Sequence, residues 1–197
     1  MPNRGAAGVL ILVRRPIVPI FRCLLKALNA RGRVSNEVLS LHLVHPSLAS
    51  TMELCETLRK DPRLSTVEHV EKLRPNNGLR DLLNNRLPPW ILQNYMLVVG
   101  IETVTEKFRN KYPYPNLTLQ AGSIEKGESI LNAAVREVFE ESRIMLHWTS
   151  IHPQPIRLLG GGLIMFLCMI DQNTLIRLAQ TTVYIGYWNA SPETWIH

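Results

Sequence analysis

A chain of 197 residues that is 46% hydrophobic and 19% charged can build one full core, which excludes long disorder and two domains of ordinary size. The formal charge of +6 is uneven: residues 1–88 carry 14 Lys/Arg against 7 Asp/Glu, and residues 89–197 carry 8 against 9. A basic first half suits a long polyanion such as RNA, or is a solvated basic face.

Taken in chain order, residues 6–13 (AAGVLILV) form a continuous apolar run with β-branched members, the pattern of a buried strand. The run is too short for a membrane span, and Arg14 and Arg15 follow it in the wrong order for a signal peptide. No membrane partner is expected. Residues 17–25 read as a second strand or the start of a helix. From about Ala30 the apolar spacing becomes helical, in short pieces separated by Pro46, Pro62, Pro75 and Pro88-Pro89. A block of that length without structure is improbable in a compact domain, so residues 30–110 are expected to be a basic helical lobe inserted into a sheet domain. Residues 1–29 then supply the first strands, and residues 111–197 the remainder. Residues 90–108 read as a long helix or a helix followed by a strand, residues 117–119 as a short strand, and residues 156–159 and 163–170 as a hairpin around Gly160-Gly161-Gly162. Residues 183–188 are one more strand candidate. Cys23, Cys55 and Cys168 form no CxxC or Cys/His spacing, which speaks for a reducing compartment and against a disulfide framework or a zinc site.

The segment 122–144 carries the chemistry. It reads Gly122, five residues, Glu128, seven residues, then Arg136-Glu137-Val138-Phe139-Glu140-Glu141. Ser129 is a good N-cap, and residues 130–141 lack Gly and Pro, so this end is expected to be helical. On a helix Glu137, Glu140 and Glu141 share one face, while Leu131, Ala134, Val135 and Val138 form the stripe for the core. Three carboxylates held together repel one another unless a hard divalent ion such as Mg²⁺ or Mn²⁺ is present. A solvated acidic face is the plain alternative for any one pair. From average residue usage, the six specified positions coincide by chance with a probability on the order of 10⁻⁵ over the chain.

These residues resemble the signature of the Nudix hydrolases. The resemblance implies an α/β fold, an α/β/α sandwich around a mixed sheet, here with an inserted helical lobe. Carried over by position, it makes Glu140 and Glu141 metal ligands and Glu137 a third ligand or the general base. Arg136, paired with Glu128, would orient the carboxylates, and the Gly122 carbonyl would reach a metal. The implied reaction is attack of water on a phosphate anhydride of a nucleoside diphosphate-linked substrate, with Mg²⁺ or Mn²⁺ as cofactor. Arg143 departs from the pattern, standing where the family has a glycine in a helix-terminal position that favours a left-handed backbone. A basic helical insertion before the box resembles the mRNA-decapping enzymes of large DNA viruses. That implies removal of the 5′ cap as m7GDP, with RNA held by the lobe, in the cytoplasm of a host. The alternatives are a small-molecule pyrophosphatase acting on ADP-ribose, a dinucleoside polyphosphate or a diphosphoinositol polyphosphate, and an RNA-binding protein with a decayed site.

Arg14, Arg15, Arg22, Arg33, Arg86, Lys107, Arg109 and Lys111 are the candidates for phosphate contact, since cationic side chains bind phosphate oxygens directly. The six histidines show no metal spacing and are expected to be surface or satisfied core groups.

Overall fold

The structure is a computed structural model and describes residues 5–30, 32–84, 86–104, 110 and 113–184. Its first half contains β1 (Ala6–Arg14), α1 (Val18–Asn29), β2 (Val38–Val44), α2 (Leu48–Arg59), β3 (Arg74–Pro75), α3 (Asn77–Leu83) and α4 (Pro89–Asn94). The second half contains β4 (Tyr95–Glu102), β5 (Asn116–Thr118), β6 (Ala121–Ser123), α5 (Ile130–Ser142), β7 (Ile156–Leu158), β8 (Leu163–Ile170) and α6 (Gln172–Tyr184).

The eight strands form one mixed sheet in the order β3-β5-β4-β1-β8-β7, with β2 added to β4 and β6 to β1. Strand β1 lies at the centre, buried along both faces from residue 7 to residue 13, as its uninterrupted apolar run requires. It runs parallel to β8 along its length. It pairs antiparallel with β6 at its start and with β4 at its end.

Because side chains alternate across a strand, β1 feeds two cores. Ala7, Val9, Ile11 and Val13 meet Phe21, Leu24 and Leu28 of α1, Ala133, Ala134 and Val138 of α5, and Leu175 and Leu178 of α6. Leu10 and Leu12 face the opposite way, toward Cys55 and Leu58 of α2, Leu79 and Leu82 of α3, and Ile91 of α4. The molecule is thus an α/β protein with helices on both faces of an open mixed sheet. No helix among the described residues is long and apolar enough to cross a membrane.

Two expectations need correction. Residues 30–110 are not a helical lobe inserted beside the sheet, because β2 and β4 lie within them and pair with each other, and β4 also pairs with β1. The boundaries at residues 29 and 110 therefore do not separate one unit from another. Leu39, Leu41 and Leu43 alternate with polar residues, which is strand spacing, and the mixture of one- and two-residue gaps disguises it as helical. A register shift between Val38 and Leu41 interrupts the alternation further. The Asn29 side chain compensates there, with Nδ2 donating to the Leu41 carbonyl at 2.7 Å and Oδ1 accepting from the Leu41 N–H at 2.9 Å. The second correction is at the end of the chain, where Val183 and Tyr184 close α6 instead of opening a strand. The rest of that candidate, residues 185–188, lies outside the described residues.

The open choices resolve cleanly. Of residues 17–25, all but Ile17, which ends a preceding 3-10 turn, belong to α1, whose Phe21, Leu24, Leu25 and Leu28 recur at helical spacing on the buried side. Residues 90–102 are a short helix followed at Tyr95 by a strand, as the β-branched pair Val98-Val99 favours.

Candidate functional site

The site lies at the end of the sheet where β1 begins, and its scaffold is α5. Ser129 caps that helix, its hydroxyl accepting from the Asn132 N–H at 3.2 Å. Ala133, Ala134 and Val138 bury one side of the helix. The helix ends at Arg143, which takes the left-handed conformation (φ 60°, ψ 14°) in which a glycine would be unstrained. The chain therefore keeps the glycine's backbone shape without the glycine.

Arg136 organises the loop before the helix. Its Nε and Nη2 donate to the two oxygens of Glu128 at 2.9 and 3.0 Å, a bidentate pair, and Nη2 also donates to the Ser123 carbonyl at 2.9 Å. Its Nη1 donates to Glu137 at 2.8 Å and to Glu140 at 3.0 Å. These bonds hold the Glu128 carboxyl below the usual carboxylate range, and the guanidinium pKa is raised by its bond to Glu128 first.

The three box glutamates occupy different environments. Glu140 is exposed. The Glu137 side chain is 12% exposed, and its carboxylate packs directly against Gly122, where no Cβ would fit. This contact explains the glycine better than any turn, for among the positive-φ glycines Gly122 does not appear. Glu141 is 6% exposed, and its Oε2 accepts from the Ala121 N–H at 3.0 Å. Burial pushes the Glu141 carboxyl well above its ordinary range, with Glu102 and Glu137 adding to the rise and the Ala121 N–H opposing it. Glu137 is raised by burial too, against the pull of Arg136.

Sequence reasoning missed three residues at this site. Glu102 ends β4 and is itself raised, by burial first and then by Glu37. Glu37 is tied to the same place, its carbonyl accepting from the Thr103 N–H at 2.9 Å and from the Thr103 hydroxyl at 3.2 Å. Gln120 is 1% exposed, and neither its Nε2 nor its Oε1 has a hydrogen-bond partner among the described residues. A buried amide left so costs roughly 1–3 kcal/mol. Its position two residues before Gly122, at the entrance to the box, was the available clue. For Glu102 and Glu37 no local signal existed.

As arranged, no three His, Cys, Asp or Glu side chains among the described residues stand close enough to hold an ion. Arg136 is the counter-charge of Glu137 and Glu140 instead. The donors nonetheless fit a hard divalent cation in kind: carboxylates, a backbone carbonyl at Gly122 and an orphaned carboxamide, all oxygen ligands.

Beside α5 lies a cavity of about 440 Å³ lined by Glu128, Leu131, Asn132, Val135, Leu146 and Trp148, among others. Trp148 is 66% exposed, with the His147 ring tilted against it at 5.6 Å.

The basic candidates scatter. Arg14 closes β1 at the end far from Gly122, and Arg15, the next residue, donates to the Gln93 and Leu92 carbonyls. Arg86 pairs with Asp81 at 3.6 Å, and Arg22 is exposed on α1. Arg33 alone of these five reaches the site, donating to the Asn36 carbonyl at 3.1 Å and the Thr103 hydroxyl at 3.3 Å. Lys107, Arg109 and Lys111 lie outside the described residues. Compared with protein-family models, with curated proteins and with solved structures, the chain matches none.

Proposed function

We propose that this chain is a hydrolase of Nudix type that cleaves a phosphate anhydride in a nucleoside diphosphate-linked substrate, with 5′ cap removal from mRNA as its specific reaction. The observation that carries the reading is the contact between the Glu137 carboxylate and Gly122. Two positions fifteen residues apart in the motif meet there, and only glycine permits it.

Glu137, Glu140, Glu141 and the Gly122 carbonyl would hold Mg²⁺ or Mn²⁺. The ion supplies neutralisation of charge on the phosphoryl oxygens and a lower pKa for the attacking water. Arg136 keeps the glutamates on one side of α5 and, through Glu128 and the Ser123 carbonyl, ties that helix to the loop above it. Glu137 would serve either as the third ligand or as the base that accepts the proton of the attacking water. Glu141 is held in place by Ala121, so its geometry is set before substrate arrives. The exposed Trp148 face beside this loop offers a nucleobase a stacking surface.

Cap-labelled RNA incubated with Mn²⁺ is expected to yield m7GDP. Turnover should fall by at least about 100-fold in Glu140→Gln and in Glu141→Gln. Intact turnover in both variants removes the enzyme class. Rapid release from ADP-ribose or dinucleoside polyphosphates, with none from capped RNA, replaces decapping by a metabolite pyrophosphatase.

A further inference from the structure

The box glutamates account for one wall of the acidic site, and the opposite wall comes from the sheet. Strand β2 meets β4 with Val38 opposite Glu102 and Leu41 opposite Gly100. Gly100 and Glu102 are two residues apart on β4 and so face the same side, the side on which Val38 and Leu41 pack with Ala133, Ala134 and Val138 of α5. A Cβ on Gly100 would stand 3.4 Å from the Gln120 Nε2. The Gln120 carboxamide therefore lies over Gly100, between the strand that carries Glu102 and the Gly122 on which Glu137 rests. Its neighbour Ala121 donates its N–H to Glu141. Neither polar atom of this buried amide has a partner among the described residues, which is the condition of a group whose partner is a ligand.

We propose that Glu102 is a ligand of the cation held by the box glutamates, with the Gln120 carboxamide turned to the same space. The site then takes donors from β4 and from the bend between β5 and β6, as well as from α5. This inference rests on the hydrolase reading and adds to it a carboxylate that lies before the motif. The one acid beyond the box among the described residues, Asp171, is taken up in capping α6, accepting from the Thr174 N–H at 2.8 Å.

The test is Mn²⁺ binding by the full chain without substrate, read by the loss of free Mn²⁺ signal in electron paramagnetic resonance. Glu102→Gln keeps the shape of the side chain and is expected to weaken Mn²⁺ about tenfold or more. In EDTA the same variant should melt about 2–4 °C higher than the wild type, because a carboxylate repelled by its neighbours has been neutralised. A merely structural Glu102 would shift melting the other way. Gln120→Leu should likewise bind Mn²⁺ more weakly while remaining as stable as the wild type without metal. If Glu141→Gln loses Mn²⁺ but Glu102→Gln binds it like the wild type, the present inference falls and the hydrolase reading stands. A wild-type chain that binds no Mn²⁺ overturns both.

Discussion

At the scale of single residues, Arg143 and His42 show how one position sets a cost. Arg143 holds a left-handed backbone that costs an ordinary side chain about 1 kcal/mol, and its guanidinium recovers part of this over the Phe139 ring at 5.9 Å. Arg143→Gly is therefore expected to stabilise the chain by about 0.5–1 kcal/mol in urea unfolding. A loss of stability would mean that the guanidinium contact outweighs the backbone strain. His42 is lowered to about 4, by burial first and then by Arg63, with Asp61 opposing, and its Nε2 lies 2.8 Å from the Ser40 hydroxyl. Its pKa is lower folded than unfolded, so the folded state resists protonation. Its contribution is complete above the unfolded value of 6.5 and is lost as pH falls from there through 4. The loss is on the order of 3 kcal/mol at its fullest. His42→Gln should flatten the fall in unfolding free energy between pH 7 and pH 4.5, and an unchanged slope would place its source elsewhere.

At the scale of elements, α5 and β4 differ in how far the sequence announces them. Helix α5 has its cap, its apolar side and its three glutamates within fourteen consecutive residues, and every relation among them is local. Ser129→Ala removes the acceptor for the Asn132 N–H and should cost about 1 kcal/mol, measured as a lower urea midpoint with unchanged slope. A change in the slope instead would show that the cap also shapes the unfolded chain. Strand β2 was obscured because its alternation is broken by a bulge, which a pattern of period two cannot anticipate. Strand β4 was ambiguous because the helix α4 runs into it without a loop, the change falling between Asn94 and Tyr95. The two strands are what turn an expected helical insertion into part of the sheet, and with it goes the idea of a separate basic lobe.

At the scale of the whole molecule, the described basic candidates of the first half sit on separate elements: Arg14 and Arg15 at the end of β1, Arg22 on α1, Arg86 after α3 and Arg33 before β2. Arg14 is seven residues along β1 from Ala7, the partner of Gly122, or roughly 23 Å at the rise of a strand. Arg33 stands beside Thr103, next to Glu102. Replacing Arg33 by Gln is expected to weaken capped RNA and to reduce the slope of log affinity against log salt by about 1, whereas Arg14→Gln should leave both unchanged. Equal effects from the two would indicate a diffuse field in place of a contact. The sequence by itself determined the helix of the box, its cap and the common face of Glu137, Glu140 and Glu141, because relations of three and four residues along a helix need nothing but the chain. Only the tertiary structure decided that Glu137 rests on Gly122, that Arg136 spans Glu128 and two box glutamates, and that Glu102, Glu37 and Gln120 join them. Those meetings depend on which strands pair and in what register, and register is settled by the packing of two cores that no single segment contains.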